Sequence, residues 1–540
     1  MLGLMQTRPL LVSSILTHAA RHHGDAEIVS REASGMLHRT TYGAMERRAR
    51  RLAQALTGLG VQPGDRVATL AWNGHRHVEA YYAVPGMGSV IHTVNPRLSP
   101  DDIAYILNDA ASTVLLAESG FAPLVAGIAP RLPHLRAVVI LAEDGAQPDL
   151  PLAPGQVLLD YETLLADAGE DFAWPEFDEL TASTLCYTSG TTGRPKGVLY
   201  SHRSQCIHAY AINLPDVLGL RAVDRVLPVV PMFHVNAWGI PHAAPLVGAA
   251  LILPGRQLDG ASLAELMNGE RATFSAGVPT VWLGLLQHLQ ATGTRLETVQ
   301  RLVCGGSACP PMLMEAFAEY GVQVLHAWGM TETSPLGTGA TPKQTARNQA
   351  RQLLKQGRAV AGLDMRLTDD AGQEVAWDGE SFGNLEVRGH WVIRRYYGAD
   401  EDATTPDGWF ATGDVATIDP DGYMEITDRT KDVVKSGGEW ISSIQLENIA
   451  VEHPDVAEAA VIGAKHPKWD ERPLLLLVPK PGGSVDPDAV MRLFEGRVAK
   501  WWLPDEVLVV DELPHTATGK VNKLALRKRY AGHRLRTAAG

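Results

Sequence analysis

The residues with the plainest chemical purpose run Tyr187-Thr188-Ser189-Gly190-Thr191-Thr192-Gly193-Arg194-Pro195-Lys196-Gly197. Three glycines in this run let the backbone approach a ligand closely and turn successive N–H groups to one side. Hydroxyl side chains at Thr188, Ser189, Thr191 and Thr192 add donors, and Lys196 supplies a compact positive charge. The combination suits phosphate. It is not a Walker loop, because Pro195-Lys196 stands where that motif needs Gly-Lys. A Ser/Thr/Gly linker would share the composition, but linkers rarely follow an apolar strand such as 185–187.

A loop of this kind must hang from a rigid frame. Residues 47–59 carry Ala49, Leu52, Ala53 and Leu56 at helical spacing, with arginines on the solvated face. Gly60 ends that helix, Pro63-Gly64-Asp65 makes a turn, and 67–70 reads as a buried strand. The rhythm recurs at 103–107 then 113–116, and at 263–267 then 273–276. Helices alternating with short apolar strands predict an α/β fold, a large N-terminal domain of mainly parallel sheets with flanking helices. A boundary is expected at 428–432. Beyond it come a helix (443–452), strands (459–463 and 474–478) and a second helix (487–497), a small α+β domain. The expected division is 1–428, a linker at 429–433, and 434–540.

A chain of 540 residues exceeds what one hydrophobic core supports. The net charge of −13 argues against a general nucleic-acid binder, while leaving room for a local basic patch. The four cysteines include no CxxC pair, so free thiols in a reducing compartment are expected. The first residues lack the basic and long apolar regions of a signal peptide, and runs such as 474–478 are too short to cross a bilayer. These features predict a cytoplasmic protein without stable membrane insertion.

The loop YTSGTTGRPKG resembles the phosphate loop of the adenylate-forming superfamily, which includes acyl-CoA synthetases, luciferases and peptide-synthetase adenylation domains. Further matches occur in order: PMFHVNAW (231–238), CGGSACP (304–310), HAWGMTE (326–332), GWFATGD (408–414), DRTKDVVKSGGEW (428–440) and LPHTATGK (513–520). The resemblance covers nearly the whole chain. It implies ATP, Mg2+ and coenzyme A as partners of a small carboxylic acid. ATP phosphates would lie against Ser189, Gly190, Thr191, Thr192, Gly193 and Lys196, with Mg2+ held by Thr188 and Glu332. Adenine would face Gly306, Ser307, Ala308 and the run His326, Ala327, Trp328, Gly329, Met330 and Thr331, with Trp328 as stacking ring. Asp414 would take the ribose hydroxyls and Arg429 a second ribose or phosphate contact, since a carboxylate accepts two O–H bonds and a guanidinium donates to oxygen. Lys520 would be the catalytic lysine of adenylation, stabilising charge on the carboxylate oxygen and α-phosphate. Lys435, Gly437, Gly438, Glu439 and Trp440 would serve coenzyme A after rotation of a mobile C-terminal domain about Lys431. His234, Val235, Trp238, Gly305, Gly306 and Pro335 would line the acid pocket, with His234 near the carboxylate.

Within the superfamily the resemblance is closest to bacterial medium- and long-chain fatty-acid–CoA ligases and to 3-methylmercaptopropionate–CoA ligases, and it implies a homodimer. A fatty acid is the expected substrate; 3-methylmercaptopropionate or another short-chain or aryl acid is the alternative. An amino-acid-activating module would need an acidic partner near 231–238, and none is there. A luciferase-type oxygenase would share the first half-reaction. A non-catalytic acyl-binding protein of this fold would be expected to lack one of Thr188, Lys196, Glu332, Asp414, Arg429 or Lys520, and all are present.

Overall fold

The computed structural model describes residues 1, 3–143, 148, 150–188, 194–344, 349–436, 439–515 and 521–539. Two compact units emerge. The first comprises 1–188, 195–364 and 388–408; the second includes 365–387 and 409–540. The strand Phe410–Ile418 pairs with Met424–Arg429 and so groups with the C-terminal residues.

The first unit is built on two sheets. One has nine strands, in the spatial order Arg358–Ala359, Leu336–Gly339, Gln323–Gly329, Arg301–Cys304, Phe274–Gly277, Arg225–Pro228, Ala250–Leu253, Glu27–Arg31 and Leu37–Thr41. From Gln323–Gly329 through Glu27–Arg31 every neighbouring pair is parallel, and only the edges are antiparallel. The other has seven strands, in the order Val157–Asp160, Ala137–Leu141, Val114–Glu118, Arg66–Leu70, Val90–Thr93, Ala182–Tyr187 and Gly197–Ser201. All its pairs are parallel except the last. The α/β frame read from the sequence is thus present. Its strands are almost uniformly apolar because helices cover the sheet faces: Leu227, Ile252 and Leu302 pack with Leu263, Met267, Trp282 and Leu289 of two such helices.

The second unit carries a four-stranded sheet, ordered Leu363–Thr368, Gly383–Gly389, Phe410–Ile418 and Met424–Arg429, and a separate five-stranded sheet. In the latter the strands Val456–His466 and Asp470–Pro479 pair antiparallel.

Most expected elements occur with shifted ends. The helix expected at 47–59 spans Tyr42–Gly58, starting earlier because the Thr41 hydroxyl accepts from Ala44 N–H and caps it. The strand expected at 459–463 runs Val456–His466, since its polar ends are carried by the ladder to its partner. The helix expected at 487–497 stops at Arg492. Gly496 turns the chain at φ 73°, and Phe494 is fully buried, so the apolar residues there fill the core from a turn. Among the described residues no helix is long and apolar enough to cross a membrane.

Candidate active site

In the first unit the phosphate loop springs from the antiparallel strands Ala182–Tyr187 and Gly197–Ser201, with Tyr187 opposite Gly197. The loop is closed at its base: Thr188 N–H donates to Lys196 O (2.9 Å), and Lys196 N–H donates to the Thr188 hydroxyl (3.2 Å). Ser189, Gly190, Thr191, Thr192 and Gly193 lie outside the described residues. Tyr397 N–H donates to Gly197 O at 2.8 Å, and a Cβ on Gly197 would sit 2.9 Å from Tyr397 Cβ. Glycine is needed there to let the segment 393–397 dock. Lys196 is exposed, with Nζ 4.8 Å from the centre of the Tyr396 ring.

Glu332 lies in a single turn, Thr331–Thr333, and is 7% exposed. That turn is held on every side. Tyr200 OH donates to Thr331 O (2.6 Å), Ile393 N–H to Glu332 O (2.8 Å), and Tyr396 OH to Glu332 Oε1 (2.8 Å). Ser334 Oγ donates to Trp391 O (2.8 Å), while Trp391 Nε1 donates to Leu336 O (2.8 Å). Gly329 has no substitute here, since its added Cβ would lie 1.7 Å from Pro335 O. Thr188 and Glu332 offer a hydroxyl and a buried carboxylate, and such oxygen donors suit a hard cation like Mg2+.

The expected adenine wall is a strand, Gln323–Gly329, beside the chain leaving Arg301–Cys304. His326 is buried, with Nδ1 3.1 Å from Leu354 O, and burial lowers its pKa to about 4, so the ring is neutral. Trp328 is 8% exposed, and one face rests on Gly337, where an added Cβ would come within 2.3 Å of the ring.

The acid segment has unexpected backbone. Val235, Asn236, Ala237 and Trp238 all have positive φ (39°, 57°, 47° and 56°), and Gly239 continues it at 76°. Left-handed helix costs roughly 1–2 kcal/mol per non-glycine residue, so a full turn of it needs strong support. Buried Asn236 supplies part: its Oδ1 accepts from Cys186 Sγ (3.2 Å) and Tyr81 OH (3.3 Å). Burial pushes the Cys186 thiol up to about 12, which keeps it a neutral donor. Asn73 clamps the approach, its Nδ2 donating to Pro228 O (2.8 Å) and Val230 O (3.0 Å) while Oδ1 accepts from Met232 N–H (2.7 Å). The half-buried Trp238 projects from this turn over Gly305 and Gly306; a Cβ on either glycine would lie 3.1 or 3.9 Å from the indole. The indole thus packs close to the two glycines named with it as acid-pocket lining. His234 is half-buried at the start of the same turn.

The second unit brings the expected ribose residues together. Asp414 and Arg429 are directly opposed across two antiparallel strands, and Arg429 Nε lies 2.7 Å from Asp414 Oδ1. Asp414 is 2% exposed and the Arg429 side chain 48%, so the pair presents its guanidinium outward. Lys431 is exposed. Lys435 faces Trp440 across a short hairpin, with Nζ 5.5 Å from the ring centre. Gly437, Gly438 and Lys520 lie outside the described residues. On either side of 516–520, His515 and Val521 form an antiparallel bridge, and Asn522 N–H donates to Pro514 O (2.7 Å). Just beyond, Lys523 pairs with Glu447 (2.7 Å) and donates to Ser443 Oγ (2.6 Å). Burial draws its pKa down, but Glu447, Asp428 and Asp432 outweigh this and hold it above the ordinary value.

Sequence reasoning missed Asn73, Tyr81, Tyr200, Trp391 and Tyr396. Only Asn236 stood inside a quoted motif, and nothing in the spacing singled it out. Another group, Glu32, His38 and His75, brings donor atoms within 4.8 Å of one another. Its imidazoles stack 4.0 Å apart at 15°, so their in-plane lone pairs do not converge, and Arg76 already contacts both Glu32 oxygens.

Residues 16–397 match the AMP-binding enzyme family, and 445–520 match the AMP-binding enzyme C-terminal domain. The chain is 51% identical over 539 residues to a 3-methylmercaptopropionyl-CoA ligase of Ruegeria lacuscaerulensis, covering 98% of this chain and 99% of the relative. It is 48% identical over 545 residues to a medium-chain-fatty-acid–CoA ligase of Ectopseudomonas oleovorans, covering 100% and 99%. The crystal structure of the anthranilate CoA ligase AuaEII with anthranoyl-AMP superposes with a TM-score of 0.85 at 26% identity, over 97% and 98% of the two chains. The chain belongs to the AMP-binding, adenylate-forming enzyme family. Within that family it is an AMP-forming acid–CoA ligase, using ATP and coenzyme A.

Proposed function

We propose that the chain activates medium- or long-chain fatty acids, forming acyl-AMP and pyrophosphate from ATP and then passing the acyl group to coenzyme A. The observation that carries this reading is the half-buried Trp238 lying over Gly305 and Gly306. A side chain on a strained turn occupies that volume, and a side chain can swing out where a backbone cannot. His234 and Val235 begin the same turn, and Pro335 comes directly after the Glu332 turn. Likeness to the medium-chain-fatty-acid–CoA ligase supports the reading.

The chemistry divides among named residues. Lys196 and the loop from Ser189 to Gly193 bind phosphate, while Trp328 and the Gly306–Ala308 segment border adenine. Asp414 and Arg429 hold the ribose, and their opposition across one strand pair supports this. Thr188 and Glu332 would hold Mg2+, which when bound neutralises phosphate charge as pyrophosphate leaves. Lys520 stabilises charge on the acid oxygen and α-phosphate during adenylation. Lys435, Gly437, Gly438, Glu439 and Trp440 then serve coenzyme A after the C-terminal domain turns about Lys431, within a linker at 429–433. A cytoplasmic homodimer completes this reading.

A second reading, a 3-methylmercaptopropionate ligase, is favoured by the same indole, which would then be a fixed pocket floor; the 51% identical relative supports it. Thioester formation across a panel from propionate and 3-methylmercaptopropionate through octanoate to palmitate, with cinnamate, separates the two. A maximum at about eight carbons or more, the length of a tunnel-sized pocket, supports the first. A maximum at the short or sulfur-containing acids, moved to longer chains by Trp238→Ala, assigns the second.

A further inference from the structure

We infer that Tyr396 is a positioning residue for the ATP site: its hydroxyl orients the Glu332 carboxylate toward Mg2+, and its ring holds Lys196 apart from that carboxylate. The hydroxyl donates to Glu332 Oε1 at 2.8 Å, while Lys196 Nζ lies over the same ring, 4.8 Å from its centre. One side chain therefore contacts both the cation and the anion. The Lys196 ammonium is exposed and the Glu332 carboxylate buried, and opposite charges that share one neighbour attract each other. Once paired, each would cancel the charge the other owes to phosphate or metal. Tyr396 prevents this at little cost, because a cation over a ring face keeps its favourable field.

The tyrosine is fixed from both sides. Ile393 N–H donates to Glu332 O (2.8 Å), and Tyr397 N–H donates to Gly197 O (2.8 Å). The segment 393–397 is thus a strut between the Glu332 turn and the strand that begins just after Lys196. Its geometry also sets which carboxylate oxygen is committed, since Oε1 is the one that accepts the phenol proton.

The inference rests on the reading of Glu332 as a metal ligand, and three variants test the two separately. Mn2+ serves as the probe, its affinity read by electron paramagnetic resonance with ATP bound; ATP affinity without divalent ions is read by calorimetry in EDTA. Tyr396→Phe keeps the ring and loses the hydroxyl. It should weaken Mn2+ about 10-fold, the loss expected for one hydrogen bond to a charged group, and leave metal-free ATP binding unchanged. Its kcat should return at high Mg2+, a split between metal affinity and turnover. Tyr396→Leu loses the ring as well and should also weaken metal-free ATP binding, as Lys196 collapses onto Glu332. Glu332→Gln should weaken Mn2+ at least as much as Tyr396→Phe. If Glu332→Gln weakens Mn2+ and Tyr396→Phe does not, the positioning role is refuted while the metal assignment stands. If Glu332→Gln leaves Mn2+ unchanged, the metal assignment and this inference fall together.

Discussion

Asn73→Asp isolates the clamp under the acid segment with almost no change in shape. Asn73 is 3% exposed and bonds three backbone groups, Pro228 O, Val230 O and Met232 N–H. Aspartate keeps the acceptor for Met232 but removes both donors, and it sets a carboxylate against two buried carbonyl oxygens. Each stranded acceptor costs about 1–3 kcal/mol, so the loss is on the order of 4 kcal/mol. At about 2 °C per kcal/mol, the lower end for larger domains, the first unit should melt roughly 8 °C lower at pH 8. The pH dependence comes from the new group. Burial and the facing carbonyls raise its folded pKa above the unfolded value, so the protonated form is favoured in the fold. The deficit against wild type is therefore fullest at high pH and narrows as pH falls, because the protonated acid can donate to one of the two carbonyls. Thermal melts at pH 8 and pH 5.5, read as the difference from wild type, check this. A variant melting within about 2 °C of wild type at pH 8, or a deficit that does not narrow, would show that Asn73 does not carry the segment. Steady-state kinetics should add a KM rise for the acid larger than that for ATP, since the segment 231–238 slackens and the phosphate loop does not.

Lys520→Ala should lower adenylation by about 100-fold or more while sparing thioester formation from supplied acyl-adenylate; parallel assays of the half-reactions decide, and equal losses contradict the assigned role. Gly329→Ala should abolish acid-dependent pyrophosphate exchange, because its Cβ would overlap Pro335 O at 1.7 Å and displace the Glu332 turn; an active variant would show that the turn adapts. Buried His77, His92, His202, His208, His242 and His326 all have pKa values lowered by burial, to about 3 or 4. Their contribution to stability is complete above the unfolded value near 6.5 and is lost as pH falls toward 4. Each adds a slope approaching 1.4 kcal/mol per pH unit in that window. Denaturant titrations should show unfolding taking up several protons at pH 5; an uptake near zero there would mean that these rings are charged in the fold.

The parts of this protein that act through local chain chemistry were legible in the order of its residues. Alternating helices and apolar strands announced the parallel sheets, and the ordered motifs marked Asp414 and Arg429, which proved to face each other across a ladder. What escaped was set by contacts between residues far apart in the chain. Tyr396 reaches Glu332 across 64 positions and Asn73 reaches Val230 across 157, and neither separation leaves a mark on the neighbouring residues. The left-handed turn at 235–238 runs against intrinsic preference at four successive residues, so propensity could only have pointed elsewhere. The short helix Pro487–Arg492 was overextended because Phe494 fits an apolar stripe equally well when it is buried from a turn.

The opposition of Asp414 and Arg429 has a consequence for how this enzyme can diverge. Their strands are joined by the turn 419–423, where Asp419 accepts from Asp421 and Tyr423 N–H groups. Side chains alternate between the two faces of a strand, so a one-residue slip would send one member of the pair to the opposite face. A register shift at Val415/Ala416 already lies between the turn and the pair, so a change of length in the turn keeps the pair opposed only if it bulges outward or is taken up at that irregularity. The length of the hairpin should therefore drift more slowly among descendants than the composition of its tip.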